Sequence, residues 1–137
     1  MDKMIFLDTS FIISYYNKED INNTRAVNLM KKMSENKDKF FVISDYVFDE
    51  CATILSQKIK NKIESIKAID DILSFTDLIF VEKEIFNRSW ELFKNQDNTK
   101  LSFTDCSIIA MSKSKGIREI ATFDEEFKKI KDIIIFN

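Results

Sequence analysis

Apolar residues along this chain arrive in two alternating rhythms. Short continuous runs, "KMIFL" (3–7), "KFFVIS" (39–44), "DLIFVE" (77–82), "REIATF" (118–123) and "DIIIFN" (132–137), have the length and make-up of strands buried on both faces. Between them, apolar positions recur at helical spacing. That spacing predicts helices over 10–16, 20–36, 45–59, 61–75, 83–95 and 102–115, and a short one over 124–130. The stripe of the second is Ile21, Ala26, Val27, Leu29, Met30 and Met33; that of the fourth is Ile63, Ile66, Ile69, Ile72 and Leu73. "QDNTKL" is a polar loop, and Gly116 stands where a helix C-cap is expected. Strands alternating with helices predict an α/β sandwich around a mainly parallel sheet of four to five strands.

Composition narrows the chemistry. The 137 residues are 45% hydrophobic and 32% charged, which suits one soluble globular domain spanning 1–137. No apolar run approaches the roughly 18 residues of a membrane span. Asp8 splits the apolar N-terminal run, and no small-residue cleavage site follows it, so the chain reads as cytoplasmic. Cys51 and Cys106 are far apart and read as small buried residues. There is no histidine, which excludes serine–histidine and cysteine–histidine nucleophiles and histidine metal sites. With one glycine, neither a dinucleotide-binding turn nor a P-loop can form. Any chemistry falls to carboxylates, hydroxyls and lysines. The net charge of −2 argues against a nonspecific nucleic-acid binder, unless several acids gather round a metal and leave a mildly basic remainder.

Four acids stand out. Asp8 follows the first strand and Asp124 the fourth, and in an open α/β sheet ligands bind beyond the carboxyl ends of strands. Either could simply cap a helix. Glu50 has Val47 and Ile54 at −3 and +4, so it points inward. Asp49 faces the wetter Asp45, Tyr46 and Thr53. Asp105 shares a helix face with Ile108 and Ile109, although "SFTD" is also a capping-box pattern with Ser102. Together, four acids converging in one small domain would repel one another unless a cation offsets them. An all-oxygen donor set selects Mg²⁺ or Mn²⁺ and suits metal-assisted phosphodiester hydrolysis, with water as nucleophile.

The blocks "FLDTSFII", "ISDYVFDECATIL", "LSFTDCSIIAMSKSKGI" and "IATFDEEFKKI" resemble, in order and spacing, those of the PIN-domain nucleases, most of all the VapC-type toxin ribonucleases. The resemblance implies a three-layer α/β/α sandwich and a metal-dependent endoribonuclease with Asp8, Glu50, Asp105 and Asp124 as catalytic metal ligands. Asp8 and Asp105 would be the most direct, and Glu50 and Asp124 would act partly through water. Ser10 and Thr122 would be supporting hydroxyls. The resemblance also implies an RNA substrate, Mg²⁺ or Mn²⁺ as cofactor, a homodimer, and a small antitoxin that inserts a segment with a basic side chain into the acidic cleft. DNA binding would come from the antitoxin, since this chain carries no such motif.

Candidates for guiding RNA are Lys58, Lys60 and Lys62, and Lys113, Lys115 and Arg118, the latter group at the end of a helix pointing away from the acids. Phe11, Tyr15, Tyr16 and Tyr46 could stack bases, with core packing as the plainer expectation. Three other functions compete. A HAD-like phosphatase would need a second aspartate where Ser10 stands. A noncatalytic RNA- or protein-binding PIN domain would not need all four acids. DNA cleavage would use the same site.

Overall fold

A computed structural model of the protein describes residues 3–137. Its elements are β1 (Met4–Leu7), α1 (Thr9–Tyr16), α2 (Asn23–Ser34), β2 (Phe40–Ser44), α3 (Asp45–Lys58), α4 (Lys62–Phe75), β3 (Thr76–Ile79), α5 (Lys83–Lys94), α6 (Phe103–Lys115), β4 (Glu119–Ala121), a 3-10 helix (Glu125–Lys129) and β5 (Ile134–Phe136). All strand pairings are parallel, in the order β3-β2-β1-β4-β5. The expected α/β sandwich and its parallel sheet are present.

The order of strands fixes where a site can form. From β1 the chain builds outward through β2 to β3, then returns across the sheet to β4 and β5. Right-handed crossovers in opposite directions place their helices on opposite faces. Accordingly α2, α1, α3 and α4 pack side by side, and α5 packs on α6. β1 lies at the centre, and its neighbours on either side are reached in opposite directions, so the crevice at the carboxyl ends of β1 and β4 is the switch point. Leu7 is in register with Ala121, and the Asp8 amide donates to the Ala121 carbonyl at 3.0 Å. Asp8 and Thr122 therefore leave the sheet side by side. Ile5, Phe6 and Leu7 of β1 are buried, with Val42 and Ile43 on one side and Ile120 and Ala121 on the other.

Three details depart from the periodicity. The edge strands β3 and β5 are only half-buried, with Asp77 and Ile134 exposed, because each has a single neighbour. The helix expected from residue 20 begins at Asn23. Asp20 instead accepts hydrogen bonds from the Ser14 hydroxyl (3.0 Å) and the Asn22 amide (2.8 Å), which makes a turn and leaves Ile21 exposed. On α4, Ile63, Ile66 and Leu73 of the expected stripe are exposed, and Ser65 and Ile72 are the buried positions. Among the described residues α4 packs chiefly on α3, so its buried face is narrow.

Gly116 closes α6 as expected. It adopts the left-handed conformation (φ 69°), and the amides of Gly116 and Ile117 both donate to the Ser112 carbonyl. A β-carbon here would meet no atom within 4 Å, so the glycine is required by its φ and not by space. Gly116→Ala should therefore lower stability by about 1 kcal/mol, and Gly116→Asn by less. Urea unfolding with an unchanged m-value checks this; a neutral alanine would show that the cap contributes nothing.

Candidate active site

Asp8 is the centre of the site, and its surroundings follow from the chain leaving β1. Asp8 has extended backbone angles and caps α1, its Oδ1 accepting from the Thr9 amide at 2.8 Å. Because α1 starts at once, the Ser10 side chain turns back, and its hydroxyl donates to Asp8 Oδ2 at 2.9 Å. From β4 the Thr122 hydroxyl donates to the same oxygen at 2.7 Å. These hydroxyls are themselves held: Ser10 accepts from the Phe123 amide and Thr122 from the Asp124 amide, each at 3.0 Å. The carboxylate is 2% exposed. Burial pushes its pKa above the ordinary value, the three hydrogen bonds pull it down, and the Asp124 charge adds to the rise.

Asp105 is both cap and site residue. The capping box forms in full: the Asp105 amide donates to Ser102 Oγ and the Ser102 amide to Asp105 Oδ2, both at 3.0 Å. Oδ1 stays outside the box. Burial, then the nearby Asp8 charge, raise its pKa to about 7. Asp124 caps the 3-10 helix, with Oδ1 accepting from the Glu126 amide at 3.0 Å, and its Oδ2 is not used for capping.

Asp8, Asp105 and Asp124 line one cavity of about 510 Å³, together with Asp20, Ile54 and Phe123. Glu50 opens into the next one, about 380 Å³, beside Tyr46, Asp49, Phe86 and Phe103. Half-buried Glu50 does point inward while Asp49 is exposed. Thr9, in the wall of the acid cavity, links the two sets of acids: its hydroxyl donates to Glu50 Oε1 at 2.7 Å and its amide holds Asp8. Sequence reasoning missed Thr9; its place between Asp8 and Ser10 in "DTS" was the available signal. It also missed Asp20, which nothing in the periodicity marked. Ile54, expected in the buried stripe of α3, is only partly buried and forms part of the cavity wall.

Among the described residues, no three acids or cysteines lie close enough to ligate one ion together. The donor set still fits a hard divalent cation. It is all oxygen, Asp8 and Asp105 repel each other, and Asp105 Oδ1 and Asp124 Oδ2 are uncommitted. Mg²⁺ typically keeps several waters and needs only one or two direct carboxylates.

Of the other candidates, Tyr46 lines the Glu50 cavity and the lysines fall elsewhere. Lys58 and Lys60 line a separate cavity with Tyr16, and Lys113 another with Trp90. Phe11 is buried and stacks on Phe123, while the Tyr16 hydroxyl donates to Asp71. Cys51 and Cys106 are buried free thiols whose pKa values burial raises, the latter to about 11. They are inert at neutral pH.

A family model for the PIN domain matches residues 5–133. The chain belongs to the PIN-domain family. Over 124 residues this PIN domain is 26% identical to the 23S rRNA-specific endonuclease VapC20 of Mycobacterium tuberculosis, covering 90% of this chain and 92% of that protein. The crystal structure of that sarcin-ricin-loop-cleaving toxin superposes with a TM-score of 0.77 at 25% identity, over 90% of this chain and 92% of the other. A VapC ribonuclease of Aquifex aeolicus is 25% identical over 127 residues, 93% of this chain and 92% of its own. A toxin–antitoxin complex from Klebsiella pneumoniae shares the fold, with a TM-score of 0.66 at 19% identity and 95% of each chain covered. Membership of this family removes the HAD-like reading. Ser10, where that reading needs an acid, is committed to Asp8 and the Phe123 amide.

Asp105 makes the metal-free PIN domain pH-sensitive. Below about pH 4 both folded and unfolded chains hold its proton. As pH rises the unfolded chain releases it near 3.8, while the folded protein keeps it until about 7. The folded state thus binds more protons in that window, so stability falls as pH rises through it. Urea unfolding in EDTA should show wild type weaker at about pH 8 than at about pH 5, and Asp105→Asn flattening the difference. An unchanged slope in Asp105→Asn would mean that Asp105 is not strained.

Proposed function

We propose that this PIN domain is a Mg²⁺- or Mn²⁺-dependent endoribonuclease of the VapC kind, the toxin of a toxin–antitoxin pair. The observation that carries the reading is a buried aspartate held by three donors at the β1/β4 switch point, with two further acids in the same cavity. A carboxylate so costly to bury is explained by a cation it serves. The likeness to the endonuclease VapC20 and to the Aquifex ribonuclease supports the reaction class.

In this reading Asp8 is the fixed ligand. Ser10, Thr122 and the Thr9 amide hold its carboxylate in one orientation, so that little reorganisation is needed when a cation binds. Asp105 would offer Oδ1 while its capping box holds Oδ2, and would have to give up its proton to serve as a ligand. Asp124, and Glu50 steadied by Thr9, would act through water. The bound ion would offset charge on the phosphate and activate a water. With water as nucleophile, the products carry 5′-phosphate and 3′-hydroxyl ends, not cyclic phosphates.

Two protein partners belong to the same reading. One is a small antitoxin bringing a basic side chain to the acidic cavity, in keeping with the Klebsiella complex. The other is a second copy. Phe86, Trp90 and Phe93 form an exposed aromatic ridge on α5, where Glu84 pairs with Arg88 and Glu91 with Lys94. A face that is apolar yet carries balanced charge suits an antiparallel copy of itself better than a polyanion. Trp90→Asp should shift the protein from dimer to monomer in sedimentation; a wild type that sediments as a monomer removes the dimer from the reading.

Purified protein incubated with structured RNAs should cleave in Mn²⁺ or Mg²⁺ and not in EDTA, and Asp8→Asn should lower the rate by at least ~100-fold. Cleavage that persists in EDTA or in folded Asp8→Asn, or cyclic-phosphate ends, would end this reading. Normal folding without cleavage or Mn²⁺ binding would favour the noncatalytic PIN domain.

A further inference from the structure

The acid cavity has no cation of its own. Among the described residues that line it, Asp8, Asp20, Asp105 and Asp124 are acidic and none is lysine or arginine. A strand of phosphates approaching such a cavity is repelled at range. The nearby lysines of the 3-10 helix do not relieve this, since Lys128 pairs with Glu125 and Lys129 with Glu126.

One guanidinium stands at the cavity wall. Arg25, in the first turn of α2, lies with Cζ 5.1 Å from the centroid of the Phe123 ring. Its Nη1 reaches Asn22 Oδ1 at 3.4 Å, and both Phe123 and Asn22 line the acid cavity. Phe123 is a firm platform. Its ring stacks on buried Phe11 at 5.9 Å, and its amide donates to Ser10, which in turn donates to Asp8. Asn22 is fixed through its amide to Asp20. One short chain of contacts thus ties Arg25 to the frame that holds Asp8, and a second ties it to Asp20 in the cavity wall.

The manner of holding matters. Among the described residues Arg25 is exposed and forms no ion pair. A carboxylate partner would have cancelled its charge and used its fork of donors. An aromatic face steadies the cation, and with Nη1 reaching Asn22 the remaining N–H groups stay open to phosphate oxygens.

We propose that Arg25 binds a phosphate of the RNA strand flanking the scissile bond, with Phe123 as the platform that aims it. This rests on the nuclease reading but goes beyond it, since neither the four acids nor the lysine clusters pointed to α2.

The test uses full-length protein carrying Arg25→Gln or Arg25→Lys. KM and kcat are measured in the active protein, and binding of a labelled single-stranded RNA of mixed sequence in the Asp8→Asn background across several salt concentrations. Arg25→Gln should weaken RNA binding and raise KM about tenfold, with kcat within about threefold. The slope of log affinity against log salt should become shallower by about 0.7, the mark of one lost phosphate contact. Arg25→Lys should keep the slope and lose part of the affinity. In Phe123→Leu protein the Arg25→Gln effect should shrink, because the platform is gone.

If wild type cleaves RNA and Arg25→Gln keeps its KM, affinity and salt slope, this proposal is overturned and the nuclease reading stands. RNA binding that depends on Arg25 without any cleavage would leave no scissile bond for the contact to flank, and would overturn both this proposal and the nuclease reading in favour of a noncatalytic RNA-binding domain. A lower melting temperature or weaker Mn²⁺ binding in Arg25→Gln, matching the loss of RNA affinity, would assign Arg25 to the fold and overturn it. An absence of both cleavage and RNA binding in every variant would overturn both.

Discussion

A carboxylate sits at the centre of this molecule, and much of the local architecture exists to keep it there. Asp8 stands at the end of the central strand, 2% exposed, where an unpaired charge would be very costly. Its donors come from both sides of the switch point, from Thr9 and Ser10 at the start of α1 and from Thr122 after β4. The pairing of Leu7 with Ala121 brings those segments level. Moving β4 along by one residue would send Thr122 to the opposite face and leave Asp8 short of a donor. The register of the sheet and the orientation of the carboxylate are therefore one constraint.

That constraint spreads outward as electrostatics. Asp8 raises the pKa of Asp105, and Asp124 raises both. Each acid is partly satisfied by capping duty, so none is a bare charge even without an ion. Capping and cation binding were rival explanations for Asp8, Asp105 and Asp124, yet the structure uses one oxygen for the cap and leaves another toward the cavity for Asp105 and Asp124. A helix cap aims the carboxylate, and aiming is what a ligand requires. The arrangement remains unfavourable for the metal-free fold, as expected where function is placed against stability.

Much of this was legible in the sequence, for physical reasons. Buried strands and the inward faces of helices obey strong periodic rules, so the order of elements, the parallel sheet and the inward turn of Glu50 against outward Asp49 could be read directly. The turn at Asp20–Asn22 could not, because a side chain standing in for backbone hydrogen bonds leaves no periodic trace. For the same reason Asp20 went unnoticed as part of the cavity wall. The exposed isoleucines of α4 misled because periodicity reports a helix face, not whether another element covers it. Glu50 was expected in one pocket with the other acids. It opens into a separate cavity and is linked to Asp8 through Thr9, and no spacing rule distinguishes one pocket from another.

The site has to satisfy two opposed electrostatic demands. Acids dense enough to hold a divalent cation also repel the phosphates that the cation is meant to meet. Placing lysines among the acids would resolve the repulsion by neutralising them, as the ion pairs of the 3-10 helix show. The attraction must therefore come from beside the cavity, carried by a cation not held by a carboxylate. An arginine resting on an aromatic ring meets that condition, since the ring contributes no formal charge. Phe123 then has two roles that meet in one residue. Its backbone holds the hydroxyl that orients Asp8, and its ring holds the guanidinium, so the centre that repels phosphate and the group that attracts it share one rigid support.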